Sequence, residues 1–174
     1  GIKVQKIWGA FDFSASWIRE VLYRPETQNY PQEYYLGTDF AGAVGNIAVY
    51  GEAALNVPRN VEGRFDFSGR RTKDLLEYCV GGDYLFAGAD LTLRMEYYHQ
   101  GRGVTKKTDY NLIKGLSTGQ LLQAEDYLLV ALEKYFLDYY TFMFGSLINA
   151  NDGSFILQPE LSYNAADNLE IVLA

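Results

Sequence analysis

Cysteine occurs once in the 174 residues, at Cys79, so no intrachain disulfide framework exists, and a single thiol assigns no redox compartment. Histidine also occurs once, at His99, which leaves no Cys/His cluster of the kind that holds zinc. Lysine and arginine total 15 against 22 acidic residues, a net charge of -7. That balance argues against nucleic acid and against an anionic membrane surface as partners, since both call for a basic patch. No apolar run of about 18 residues occurs, so no transmembrane helix is expected. A membrane-crossing strand stays open, because it needs only about 9–11 alternating residues. The opening GIKVQKIWG lacks the apolar core of a signal peptide, as a mature or trimmed chain would.

Apolar and aromatic residues are what the chain has in quantity: 48% and 16%, with 15 tyrosines. The length suits one domain or part of a larger one. The stretch Leu91–Gln100, LTLRMEYYHQ, shows how these residues are arranged. Leu91, Leu93, Met95 and Tyr97 alternate with Thr92, Arg94, Glu96 and Tyr98. Successive side chains of a strand point to opposite faces. One face is therefore uncharged through Tyr97, and the other carries both charges.

The same alternation predicts a strand from Lys6 to Glu20, with Phe11, Phe13, Ala15 and Trp17 opposed to Ala10, Asp12, Ser14 and Ser16. A loop with Pro25 and Pro31 follows, then a strand over Tyr34–Val44, a tight turn at Gly45–Asn46 and a strand over Ile47–Leu55. Residues 56–74 read as a long polar loop holding Arg59, Arg64, Arg70 and Arg71. Strands over Leu75–Phe86 and Leu91–Gln100 flank a short turn, and residues 101–125 form the longest loop. Within it, Asp109–Gln123 has a weak helical signal, interrupted by Gly115 and Gly119. Asp126–Phe136, Tyr140–Asn149, Ser154–Asn164 and Asn168–Ala174 complete the set. Asp152–Gly153 suits a hairpin turn that needs positive φ. The facing of Tyr140–Asn149 stays open, because apolar residues occupy both parities. Pro159 removes a ladder donor and asks for an edge or a bulge. The total is about nine strands.

Two patterns bear on architecture. The long connections, 21–33, 56–74 and 101–125, all fall at one end of an up-and-down sheet. Long loops at one end and short turns at the other is the layout of outer-membrane barrels. The second pattern is chemical. One face collects Asp12, Asp39, Glu52, Glu77, Asp83, Arg94, Glu96, Glu133, Glu160 and Glu170, and the other is built of Phe, Leu, Val, Ile, Tyr and Met. The apolar face is too bulky for a small barrel interior, which side chains fill completely. The charged face carries no lysine, whereas soluble surfaces mix both signs. Lys3, Lys6, Lys73, Lys106, Lys107 and Lys114 lie near ends or in loops, and Lys134, on the apolar parity, is close enough to a turn to snorkel. Tyr34, Tyr35, Tyr97, Tyr98, Tyr139, Tyr140, Tyr163, Trp8 and Trp17 lie near strand ends, where an interfacial ring is satisfied at both its apolar body and its polar tip. The expectation is an all-β, antiparallel up-and-down transmembrane β-barrel with its apolar face towards lipid. The opposite orientation gives a soluble lipocalin-like barrel that binds an apolar ligand inside.

Two stretches carry a family likeness. The tail NANDGSFILQPELSYNAADNLE, Asn149–Glu170, has the form N-x-x-D-x-S-x-x-L-x-P-x-L-x-Y followed by D-N-L-E. The hairpin GGDYLFAGADLTLRMEYYHQG spans Gly81–Gly101. With these stretches the chain resembles porin-like outer-membrane β-barrels of Gram-negative bacteria. The resemblance implies location in that outer membrane, lipid and a small polar solute as partners, and passive transport rather than catalysis. It implies no cofactor. Family members have an even strand count and a last strand ending in Phe or Trp. This chain ends Ile171–Val172–Leu173–Ala174 after an odd count, so further barrel strands or other subunits are expected to close the wall.

The candidate lumen residues are Asp12, Asp39, Glu52, Glu77, Asp83, Arg94, Glu96, Glu133 and Glu160; carboxylates lining a water-filled path bias it towards cations. Arg94 and Glu96, near Asp83 and Glu77 on the hairpin partner, are placed to form a charge ladder. Arg64, Arg70 and Arg71 are candidates for an anion at the outer rim. His99 is the one residue open to an outer-membrane lipid hydrolase reading, which needs a serine beside it; no nucleophile motif flanks it. Cys79 has neither a second ligand nor a base nearby in sequence. No metal site is expected.

Overall fold

The computed structural model describes residues 1–21, 32–57, 65, 72–111, 113, 115 and 122–174. Ten strands form: β1 (Ile2–Trp8), β2 (Phe11–Val21), β3 (Gln32–Val44), β4 (Ile47–Val57), β5 (Leu76–Phe86), β6 (Leu91–Gln100), β7 (Asp126–Phe136), β8 (Tyr140–Asn149), β9 (Phe155–Ala166) and β10 (Leu169–Leu173). They make one sheet in chain order, each antiparallel to the next. Among the described residues β1 and β10 are its two edges, so the sheet is not closed. The all-β up-and-down expectation holds.

The strand count is ten rather than nine because the expected Lys6–Glu20 strand is a hairpin. Gly9, at φ 62, and Ala10 turn the chain, and Trp8 pairs with Phe11. Glycine takes that left-handed conformation without the steric cost that a Cβ brings. Ala10 therefore sits in a turn and not on a strand face.

The connections sort by length as expected, and the added hairpin extends the pattern. Residues 9–10, 45–46, 87–90, 137–139 and 167–168 turn the chain at one end. The strand ends that border 22–31, 58–75 and 101–125 all fall at the other end, together with the short turn at 150–154. That turn contains the expected positive-φ glycine, Gly153 at φ 73. Ser154 donates its backbone N–H (2.9 Å) and its hydroxyl (2.5 Å) to Asp152 Oδ1, which holds this carboxyl below the usual carboxylate range.

Register assigns every strand's faces, including those of β8. Tyr140, Phe142, Phe144 and Ile148 align with Phe136, Lys134, Leu132 and Leu128, while Thr141, Met143, Gly145, Leu147 and Asn149 align with Tyr135, Glu133, Ala131, Leu129 and Tyr127. The Tyr140–Asn149 stretch was ambiguous because Met143 and Leu147 fall on the charged side and Ser146 on the apolar side. Pro159 lies on β9 before Leu161, where pairing with β10 ends, so the strand is an edge there on one side.

The sheet has almost no core. Among the described residues the buried apolar side chains are Val57, Leu75, Ala124 and Tyr127, and no large side chain is fully enclosed. Large apolar residues stand exposed along the apolar face, among them Leu36 (44%), Val80 (46%), Met95 (48%) and Leu157 (51%). A soluble sheet of this size covers such a face with a second layer. No helix of the described residues is long and apolar enough to cross a membrane.

Glycine lets aromatic rings lie over the strands. On the apolar face Phe40 covers Gly51, where an added Cβ would come 2.6 Å from the ring. On the charged face Tyr50 covers Gly81 in the same way, with 2.9 Å to the ring carbon Cζ.

Candidate functional site

All nine candidate lumen residues share one face of the sheet. The register chain runs Asp12 to Ala41 and Asp39 to Ser14 across β2–β3, and Asp39 to Glu52 across β3–β4. It continues from Glu52 to Cys79 and Ala54 to Glu77 across β4–β5, then Asp83 to Arg94 and Gly81 to Glu96 across β5–β6. Thr92 aligns with Glu133, Glu133 with Met143, and Met143 with Glu160. Glu170 belongs to the same face, and so does Lys3, against the expectation that this face carries no lysine, because residues 2–8 form a strand of their own that pairs Lys3 with Ser16. Among side chains described there, nine acids (Asp12, Asp39, Glu52, Glu77, Asp83, Glu96, Glu133, Glu160, Glu170) face two cations, Lys3 and Arg94.

This charged face is the concave one. A cavity of about 620 Å³ is lined by Ser16 on β2, Asp39 on β3, Glu52 on β4, Cys79 on β5 and Tyr98 on β6. Those five strands span about 19 Å of a flat sheet, at about 4.8 Å each. With one cavity bordered by all of them, and with Gln100, Tyr127 and Asn149 buried on this face while Leu36, Val80 and Met95 stand exposed on the other, the charged face is the inner side of the curl. An apolar interior ligand would need the opposite curl.

The charged groups are tied to their neighbours across strands. Arg94 grips Asp83 with two parallel bonds, Nε to Oδ1 and Nη2 to Oδ2, each 2.8 Å. Lys3 reaches Asp39 at 3.4 Å, and the Ser14 hydroxyl donates to the same carboxylate. Gln5 donates to Asp12 at 2.5 Å. The Tyr50 hydroxyl crosses β5 above Gly81 and donates to Glu96 at 3.2 Å. The expected ladder of Arg94, Glu96, Asp83 and Glu77 forms in part: Arg94 takes Asp83, Glu96 takes Tyr50, and Glu77 lies at the far end of β5 opposite Gln100. Cys79 is free and stands opposite Glu52, and no metal-holding cluster occurs among the described residues.

At the long-loop end the described parts of the β6–β7 connection, around Tyr110 and residues 122–124, turn in over the concave face. Asn149 donates to the Tyr110 hydroxyl (2.9 Å), the Tyr127 hydroxyl accepts from the Ala124 N–H (2.7 Å), and Gln100 donates to the Leu122 carbonyl (3.3 Å). Asn111 and Gln123 bond each other twice, at 2.5 and 2.9 Å. Sequence reading missed this fold-back, because the partners lie 22 and 39 residues apart in the two bonds that tie the connection to β6 and β8. The helical signal over Asp109–Gln123 falls largely outside the described residues, as do Arg59, Arg64, Arg70 and Arg71.

His99 lies on the convex, apolar face at this end. Its Nδ1 is 2.8 Å from Asp126 Oδ1, which also accepts from the Tyr97 hydroxyl at 2.6 Å, and the Tyr78 ring stacks on the imidazole at 4.9 Å. Asn151 accepts the backbone N–H groups of Glu125 (3.0 Å) and Asp126 (2.9 Å) and donates to the Asp126 carboxylate (3.3 Å). No serine or threonine hydroxyl is bonded to His99 among the described residues. Lys134, also on the convex face, reaches the Ala89 carbonyl in the adjoining turn at 3.1 Å, so its ammonium points to the end of the sheet.

No known protein family, characterised protein or solved structure matches the chain.

Proposed function

We propose that the chain forms ten strands of an outer-membrane β-barrel that passes small polar solutes, with a preference for cations, through an acidic lumen. One observation carries this reading: among the described residues, an apolar convex face that nothing covers stands opposite a concave face with nine acids and two cations. Water must contact the second face and something apolar must contact the first. Hydrocarbon of a bilayer supplies that cover without a second protein layer.

Dimensions and decoration of the convex face agree. An 11-residue strand such as β5 rises about 34 Å and, at about 40° tilt, stands about 26 Å tall, close to the roughly 25 Å apolar band of such barrels. Its described charges, Lys6, Arg19, Asp126 and Lys134, lie towards the strand ends. Aromatic pairs cluster at both heights: Trp17 with Tyr34 (5.5 Å) and Tyr78 with Tyr97 (5.9 Å) near the long loops, Phe136 with Tyr140 (5.4 Å) and Tyr140 with Tyr163 (4.7 Å) near the short turns. Rings of this kind favour the headgroup level, where water and hydrocarbon meet.

The lumen works by solvation and field. Carboxylates along a water-filled wall keep the path wet, raise the local concentration of cations and repel anions. The test is reconstitution of the protein into planar bilayers under a potassium chloride gradient. Stepwise conductance with a reversal potential on the cation side is expected. A chain that stays soluble and monodisperse without detergent or partner, or that gives no conductance, defeats the proposal.

A further inference from the structure

Arg94 is the one arginine on the concave face among the described side chains, and it sits in the middle of β6. A guanidinium at that height, if it projected into the lumen, would oppose the field of the surrounding acids. Its geometry keeps it from projecting. Asp83 is its directly opposed partner on β5, and the two hold each other fork to fork at 2.8 Å and 2.8 Å. The positions flanking the pair are alanines, Ala48 beyond Asp83 and Ala131 beyond Arg94, so no larger side chain competes for either head. Tyr50, bonded to Glu96 across Gly81, borders the pair on the Glu96 side.

We propose that Asp83 is a selectivity-determining residue: it pins the Arg94 guanidinium along the wall and cancels its charge, leaving Glu96 and Glu133 to set the field in this layer. The inference rests on the channel reading above. Two planar groups are needed for the double bond, so charge count alone does not reproduce it. Lysine at position 94 keeps the charge but lacks the fork.

The experiment measures reversal potentials in bilayers for the wild type, Asp83→Asn, Arg94→Lys and Glu160→Gln. Asp83→Asn and Glu160→Gln each remove one acid and so change the wall charge equally, but only Asp83→Asn also frees the Arg94 guanidinium to swing from the wall towards the ion path. The potassium-to-chloride permeability ratio is expected to fall in both, and further in Asp83→Asn by about fourfold, the combined effect on the two ions of moving one unit charge from about 10 Å to about 5 Å from the ion path in water. Arg94→Lys is expected to lower the ratio with no change in formal charge. Equal effects of Asp83→Asn and Glu160→Gln, or an Arg94→Lys channel with wild-type selectivity, overturn the proposal. If Asp83→Asn does not assemble, Arg94→Lys decides alone. A wild type without conductance overturns the channel reading and this inference together, whereas a conducting wild type with unresponsive variants overturns this one only.

Discussion

Met95 offers the sharpest probe of which face meets lipid. It is the fifth residue of the ten in β6, it points to the convex face and it is 48% exposed. Four residues separate it from Leu91, about 14 Å along the strand and about 10 Å of depth at 40° tilt, which places it near the middle of an apolar band. Met95→Arg would bury a guanidinium there at a cost of about 2–4 kcal/mol, a shift in the folding equilibrium between about thirtyfold and a thousandfold. Gln158→Arg, on the concave face, should cost under about 1 kcal/mol, because that head stays in water. Ile47→Arg, beside the Gly45–Asn46 turn, is also on the convex face but lies near the interface, where the cost falls to about 0–1 kcal/mol. Urea titration of the protein refolded into lipid vesicles measures all three. The reasoning requires the order Met95→Arg, then Ile47→Arg, with Gln158→Arg small. Equal, small costs at Met95 and Gln158 would mean that the convex face is solvated, and a large cost at Gln158 alone would mean that the faces are reversed.

Two other substitutions test particular contacts. Gly81→Ala would bring a Cβ within 2.9 Å of the Met95 carbonyl and of the Tyr50 ring, so a loss of about 1–3 kcal/mol is expected in the same titration; unchanged stability would show that the Tyr50 bridge is not seated there. Asn151→Ala removes the acceptor of the Glu125 and Asp126 N–H groups, and a cost of about 1–2 kcal/mol is expected together with faster proteolytic cleavage between 101 and 125. Wild-type cleavage rates would refute the view that Asn151 holds this connection.

Much of the fold was legible because the alternation is local. The Leu91–Gln100 parities, the Gly45–Asn46 turn and the nine residues of the charged face follow from period-two reading, and register adds their neighbours. The first hairpin was not read, although a signal was present. Trp8 falls on the same parity as Asp12 and Ser14 in an unbroken strand, yet it belongs with Phe11. A two-residue turn switches parity, so a large apolar residue on the charged parity marks the switch. Alternation is identical for either sense of curl, so the sense was legible only through the bulk of the apolar face, which a small barrel interior has no room for. The His99–Asp126 contact joins positions 27 apart across a long connection, and only pairing of β6 with β7 brings them together.

The two edges of the sheet have a consequence for assembly. Along β1 and β10, one side of each strand presents backbone N–H and C=O groups to no neighbouring strand. Water solvates these groups at little cost, but hydrocarbon does not, and each one left bare there costs several kcal/mol. On the channel reading, the sheet therefore cannot enter the bilayer first and seek its edge partners later. Edge pairing and entry into lipid become a single concerted event, and the last strand contact to form is also what admits the wall to the membrane.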